Sequence, residues 1–198
     1  MSSKKKKKFP PRFPRFAAGL RFQLRPSDEA MRSWWWREWL MAISVMSAGP
    51  RLEKGRKYAL SGQVVSLKID GSHVDADVVG TRSGAYKVTL DFRAPPAAAR
   101  RRIAAAIRSE PMNVARLLAG DMPIEVASLF RDEGFSLFPG GKLSAGRYDM
   151  TCSCNCPDWA NPCKHVFAVL FILGEEMALN PLRLLELRGI KTEDVCGK

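Results

Sequence analysis

The sequence predicts an α+β fold: a small antiparallel β-meander packed with helices, followed by a C-terminal strand–helix module that gathers four of the chain's five cysteines. Three observations carry this reading. Between Val64 and Phe92 the hydrophobic period is 2, in "VVSLKID", "HVDADVV" and "AYKVTLDF", as half-buried strands require. On either side of that stretch the period lengthens to that of amphipathic helices. In "CSCNCPDWANPCKHVFAVLF", Cys152 to Phe171, the thiols run straight into an apolar helix.

Taken in order, residues 1–26 are rich in Lys, Arg and Pro, with Phe9, Phe13, Phe16 and Phe22 interleaved. Prolines at 10, 11 and 14 exclude a helix there. We expect a basic, extended, disordered arm whose aromatics dock on the body. From Ser33, "SWWWREWLMAISVM" predicts a helix with Trp35, Trp36, Trp39 and Ile43 in the core. Three adjacent tryptophans sweep about 200° of a helix, so Trp34 is expected off that face. "RLEKGRKYALSG" predicts a second short helix. The meander follows, with Val65, Leu67 and Ile69, then Val74, Ala76 and Val78, then Val88, Leu90 and Phe92 on one face. His73 starts a strand beside a turn and reads as a surface residue. Pro95-Pro96 opens a helix in which Arg100, Arg101 and Arg102 face outward while Ile103 and Ile107 face inward. "MNVARLLAG" and "PIEVASLFRDEG" add helix, "FSLFPGG" is a turn-rich link, and "RYDMTCSC" is a strand leading into the cysteines. The division is an arm over 1–26, an α+β body over 27–141 and a cysteine module with C-terminal helices over 142–198.

The net charge is +12, and residues 1–25 carry nine cations with no acid. Such an arm suits nucleic acid or an anionic surface, or serves as a solvated tail. The longest apolar run, Val166 to Gly174, is about half of the roughly 20 residues a membrane span needs. The N-terminus has charge but no apolar segment of a secretory signal. A cytoplasmic location is expected, where clustered thiols serve metals or redox chemistry rather than disulfides. Paired carboxylates, a Walker loop and a nucleophile elbow do not appear, so no enzyme is expected.

In the cysteine stretch, Cys154 and Cys156 can aim two sulfurs at one point from a strand. "PDWANP" then forms a loop, and Cys163 and His165 return at a helix start. Asn161 is the expected N-cap and Pro162 the first helical residue. Positions i and i+2 of a helix point about 200° apart, so Cys163 must lie at or before the first turn to share a metal with His165. Three sulfurs and one imidazole nitrogen make a closed tetrahedral set, the habit of structural zinc. The module is thus a zinc knuckle. Cys152 competes for the first position, with Cys152, Cys154, Cys163 and His165 as the rival set. We prefer Cys156, because the Pro-Asp after it supplies the turn. Cys196 reads as a free thiol.

"CNCPDWANPCKH", Cys154 to His165, resembles the SWIM zinc finger, the Cys-x-Cys…Cys-x-His module. "FPPRFP", "WWWREW", "RLEKGRKYALSGQVVSLKI" and "NPLRLLELRGI" extend the resemblance to bacterial SWIM zinc finger proteins. The resemblance implies Zn(2+) on Cys154, Cys156, Cys163 and His165; Cys152 departs from the pattern. It also implies binding to DNA (or RNA) or to proteins, and an association with Swi/Snf-type helicases. The expected nucleic-acid contacts are Lys4, Lys5, Lys6, Lys7, Lys8, Arg12, Arg15, Arg100, Arg101 and Arg102. The alternative is a pure protein-interaction subunit that docks through its Trp-rich helix and finger.

Overall fold

Alternating residues build an antiparallel meander of β1 (Val64–Asp70), β2 (His73–Val79) and β3 (Ala85–Phe92), and β4 (Met150–Cys154) adds to it in the order β1-β2-β3-β4. The computed structural model describes residues 13–46, 49–139 and 149–197. Asp70 pairs with His73, leaving Gly71 and Ser72 as a two-residue hairpin loop. Gly71 has φ +54°, the positive value such tight loops demand. Val74, Ala76, Val78, Val88, Leu90 and Phe92 face the core as expected.

β1 departs from the expected phase. A bulge between Val64 and Ser66 shifts the register, so Val64 is buried and Val65 is 41% exposed. An extra residue on one strand flips every later side chain relative to a strict two-residue count. Leu67 and Ile69 are half-buried.

The helices are α1 (Glu29–Arg32), α2 (Trp34–Ser44), α3 (Pro50–Leu60), α4 (Ala97–Arg108), α5 (Pro111–Leu118), α6 (Ile124–Asp132), α7 (Lys164–Leu179), α8 (Leu182–Leu187) and α9 (Thr192–Cys196). At the centre lies α7, with 13 of its 16 residues buried. A helix apolar on all sides must be covered on all sides, and α2, α3 and the sheet cover it. Close approach is made by glycines. At Gly55 a Cβ would lie 2.3 Å from the Cβ of Phe167, so α3 meets α7 backbone to side chain. Gly174 makes room for Trp39, whose indole N–H donates to the Leu170 carbonyl at 3.1 Å.

Ser33 caps α2, its hydroxyl accepting from the Trp36 N–H at 3.3 Å. Trp35, Trp36 and Trp39 are buried. Trp34 is half-buried: it meets Phe138 and Trp35 edge-on and donates its N–H to the Met122 carbonyl at 2.7 Å. The three tryptophans are accommodated because α2 is covered on two sides, by α7 and by the 122–138 segment.

Residues 13–26 run extended along the body. Leu20 bridges to Val64, and Phe22 is buried against Trp36 and Phe171. The buried Glu175 carboxylate accepts from the N–H groups of Gln23 and Leu24, both at 2.6 Å. Phe13 and Phe16 stay exposed. Among the described residues, no helix is long and apolar enough to cross a membrane.

Candidate metal centre

β4 carries Cys152 opposite Leu90 and Cys154 opposite Val88 on the helix-facing side. The strand ends at Cys154, so Cys156 lies just beyond it rather than in register. Asn155 continues the pairing: its N–H donates to the Lys87 carbonyl at 3.2 Å, and its side-chain oxygen accepts from the Lys87 N–H at 2.9 Å. This turn out of the sheet brings the Cys156 sulfur back towards Cys154.

The helix start differs from expectation. α7 begins at Lys164 with Cys163 as its N-cap, and the Asn161-Pro162 peptide is cis. Asn161 does not cap the helix. Its side-chain N–H donates to the Cys152 carbonyl at 2.6 Å, and its oxygen accepts from the Cys152 thiol at 3.1 Å. The loop is thereby pinned to the strand, and Cys152 is occupied by it. Cys163 lies before the first turn, as sharing a metal with His165 requires.

The ligand atoms of Cys154, Cys156, Cys163 and His165 all lie within 4.8 Å of one another. The sulfurs of Cys154 and Cys163 each sit 3.7 Å from His165 Nδ1. A tetrahedral site with metal–ligand bonds near 2.0–2.3 Å spaces its ligand atoms by roughly 3.5–3.8 Å. All five cysteines are free thiols. Hydrogen bonding from Cys154, with help from His165 and the Val166 N–H, draws Cys163 down to about 4. Cys154 is pushed up, first because it donates its proton to Cys163 and then by burial, and Cys156 is raised chiefly by burial. One thiolate is favoured and the others resist joining it. A divalent cation removes that resistance, so the donor set fits zinc. Burial holds Cys152 at about 11, a thiol rather than a thiolate.

His165 is buried and held by rings. Tyr86 stacks on it at 4.4 Å between centroids, and Tyr58 meets it edge-on at 5.4 Å. Nδ1 faces the sulfurs, and Nε2 is a buried nitrogen with no hydrogen-bond partner among the described residues. Each tyrosine carries a cation on its ring: Arg82 lies 4.2 Å from the Tyr86 centroid, and Lys164 Nζ lies 5.3 Å from that of Tyr58. These tyrosines escaped the sequence reading, because both lie in other elements far from the cysteines. Trp159 was also missed, although a large aromatic inside a polar turn was a visible signal.

The expected nucleic-acid residues do not form one site. Lys4 to Lys8 and Arg12 lie outside the described residues. Arg15 donates to the Ser83 carbonyl at 2.8 Å, beside the loop that carries Arg82. Arg102 forms a two-pronged ion pair with Glu133, its Nε at 2.7 Å, and is neutralised there. Arg100 and Arg101 line a cleft of about 620 Å³ with Arg108 and Lys191, where Asp194 is the acid. Among the described residues neither forms an ion pair.

Residues 147–174 match the family model of the SWIM zinc finger. With four ligand atoms converging inside that span, the chain carries a SWIM zinc finger, and its cofactor is zinc. It is similar to the uncharacterized protein Rv2102 of Mycobacterium tuberculosis, 33% identical over 187 residues. The match takes in 94% of this chain and 65% of that protein, so the chain spans about 65% of the length of the curated relative it matches. No solved structure matches the chain.

Proposed function

We propose that the protein is a zinc-dependent, nucleic-acid-binding accessory protein that works in the cytoplasm, without enzymatic activity of its own, beside a Swi/Snf-type helicase. The observation that carries the nucleic-acid reading is the placement of cations. Nine stand in the first 25 residues, and Arg100, Arg101, Arg108 and Lys191 share one cleft with a single acid. Phosphate contacts of this kind position a strand without reading its bases. The helicase link is supported only by the resemblance of the finger to its bacterial carriers. When bound, zinc neutralises the thiolates of Cys154, Cys156 and Cys163 and ties the 157–162 loop to β4 and α7. The chain's own residues supply the rest: Asn161 pins the loop, and Tyr58 and Tyr86 orient His165.

The rival reading, a protein-interaction subunit, is weakened at one point. Three tryptophans of the proposed docking helix are buried and the fourth is bonded to the body. Salt separates the two readings. Nucleic-acid affinity should fall linearly on a log–log plot against salt, by about 0.9 per phosphate neutralised on a duplex. Absence of binding to duplex and single-stranded DNA at low salt would overturn the nucleic-acid reading and leave the protein-interaction one.

A further inference from the structure

We propose that the ligand loop of the finger is a stacking platform for single-stranded nucleic acid, with Trp159 receiving a base and Lys164 and Arg82 receiving phosphates. The proposal rests on the nucleic-acid reading above and narrows it to unpaired strands and to a surface outside the basic arm.

Trp159 stands between Cys156 and Cys163 and is 90% exposed, the most exposed large apolar side chain among the described residues. Such a ring left in water gives up the largest burial any side chain can make. It is not a loose tip. Arg51 of α3 lies 5.2 Å from the ring centroid and reaches Asp158, the preceding residue, at 3.3 Å. Metal ligands anchor both ends of the loop, and Asn161 bonds its C-terminal side to β4. The ring is thus presented from a braced loop with most of its surface open.

The surroundings choose the partner. Lys164 and Arg82 each sit on one of the two tyrosines that hold His165, so two cations lie one ring away from the ligand. Asp158, the acid in the loop, is already paired with Arg51. Arg15 bonds to Gly80 and Ser83 and brings exposed Phe13 and Phe16 to the Arg82 loop. Aromatic faces interleaved with cations match an unpaired strand, whose bases stack while its phosphates are neutralised. A duplex hides its base faces and leaves Trp159 unused. A protein-binding Trp stands among other apolar side chains, whereas the Trp159 ring has the Arg51 guanidinium beside it.

The test uses the full-length, zinc-loaded protein with a labelled oligothymidine and a duplex of equal length. Trp159→Ala should weaken oligothymidine binding roughly five- to 150-fold, the range for loss of one stacked base. Duplex binding should change less than about twofold, since phosphate contacts carry no base stacking. Trp159→Phe should restore most of the loss. Zinc content and the circular dichroism spectrum of the Ala variant should equal those of the wild type, because the side chain is almost wholly exposed. Unchanged oligothymidine affinity in Trp159→Ala overturns the platform, and so does an equal loss on both nucleic acids. The wider nucleic-acid reading survives either result if deletion of residues 1–25 still reduces binding. If the wild type binds neither strand at low salt, both readings fall. Loss of a purified protein partner by the same variant, without any nucleic-acid effect, assigns Trp159 to a protein contact and also overturns the platform.

Discussion

Cys152 and Cys156 lie on either side of Cys154 and have opposite fates. Cys156 joins the ligand cluster, while Cys152 donates a hydrogen bond to the side-chain oxygen of Asn161. Cys156→Ser or His165→Ala should therefore release zinc and destabilise the fold, since a structural metal's binding energy is folding energy. Cys152→Ser should retain one zinc per chain, as elemental analysis of the purified variants will show. Zinc retained by Cys156→Ser and lost by Cys152→Ser would restore the rival ligand set. The ligand pattern was legible because it is local, spanning 12 residues. The role of Asn161 was not, because a cap and a cross-loop tether use the same amide and only the backbone path separates them. His73 was legible as a surface residue, but its partners Asp91 and Asp75 were not. The hydrogen bond to Asp91, at 2.6 Å, and then that to Asp75 raise its pKa above 6.5. A raised histidine favours the folded state when protonated. Its contribution is fully present below about pH 6.5 and is lost as pH rises through the raised folded value. An NMR titration of His73 should show a midpoint above 6.5, and Asp91→Asn should lower it.

At the scale of elements, the closest packing is between α3 and α7. Gly55 admits no side chain: a Cβ there would meet Phe167 at 2.3 Å and the Lys164 carbonyl at 3.0 Å. Both neighbours belong to the first turn after Cys163, so α3 braces the helix end that carries the ligand. Gly55→Ala should cost about 1–3 kcal/mol, the usual penalty for overpacking, as measured by chemical denaturation of the zinc-loaded protein. An unchanged denaturation midpoint would show that the helices can part freely. The helices themselves were readable from period and punctuation. Their partners were not, because an apolar stripe reports a buried face and not what buries it. The β1 bulge illustrates the same limit. Alternation placed Val65 inward, and one extra residue moved Val64 there instead.

For the whole molecule, the arm is the part whose contribution can be removed. Deleting residues 1–25 takes away nine cations, and with them a large share of any phosphate contacts. DNA affinity should fall sharply and its dependence on salt should flatten, measured by titration at several ionic strengths. Zinc content should stay at one per chain. The cut also removes Phe22 from the core and leaves Glu175 without two N–H donors, so a drop of a few kcal/mol in stability is expected alongside. A cut after residue 12 spares those contacts and isolates the effect of Lys4 to Lys8 and Arg12. Equal DNA binding by both truncated forms and the whole chain would reduce the arm to a solubility tail. The arm's charge was plain from composition. Docking through an aromatic was also expected, and Phe22 does it; the polar anchor was not legible, since Glu175 reaches Gln23 across 152 positions of chain.

That α7 is both the helix behind the ligand and the centre of the core has a consequence for how the finger can be moved. Zinc fingers are often pictured as beads that can be cut from one chain and threaded onto another. This one resists excision, because 13 of the 16 residues in its helix are covered by the rest of the protein. A peptide of residues 147–174 would carry the ligands but leave a naked oily rod, and it should precipitate rather than fold around its ion. Conversely, chelation would not melt a corner of the molecule. The free energy of global unfolding should rise with free zinc, by about 1.4 kcal/mol for each tenfold increase above the dissociation constant. The abundance of the intact protein would then follow the zinc supply.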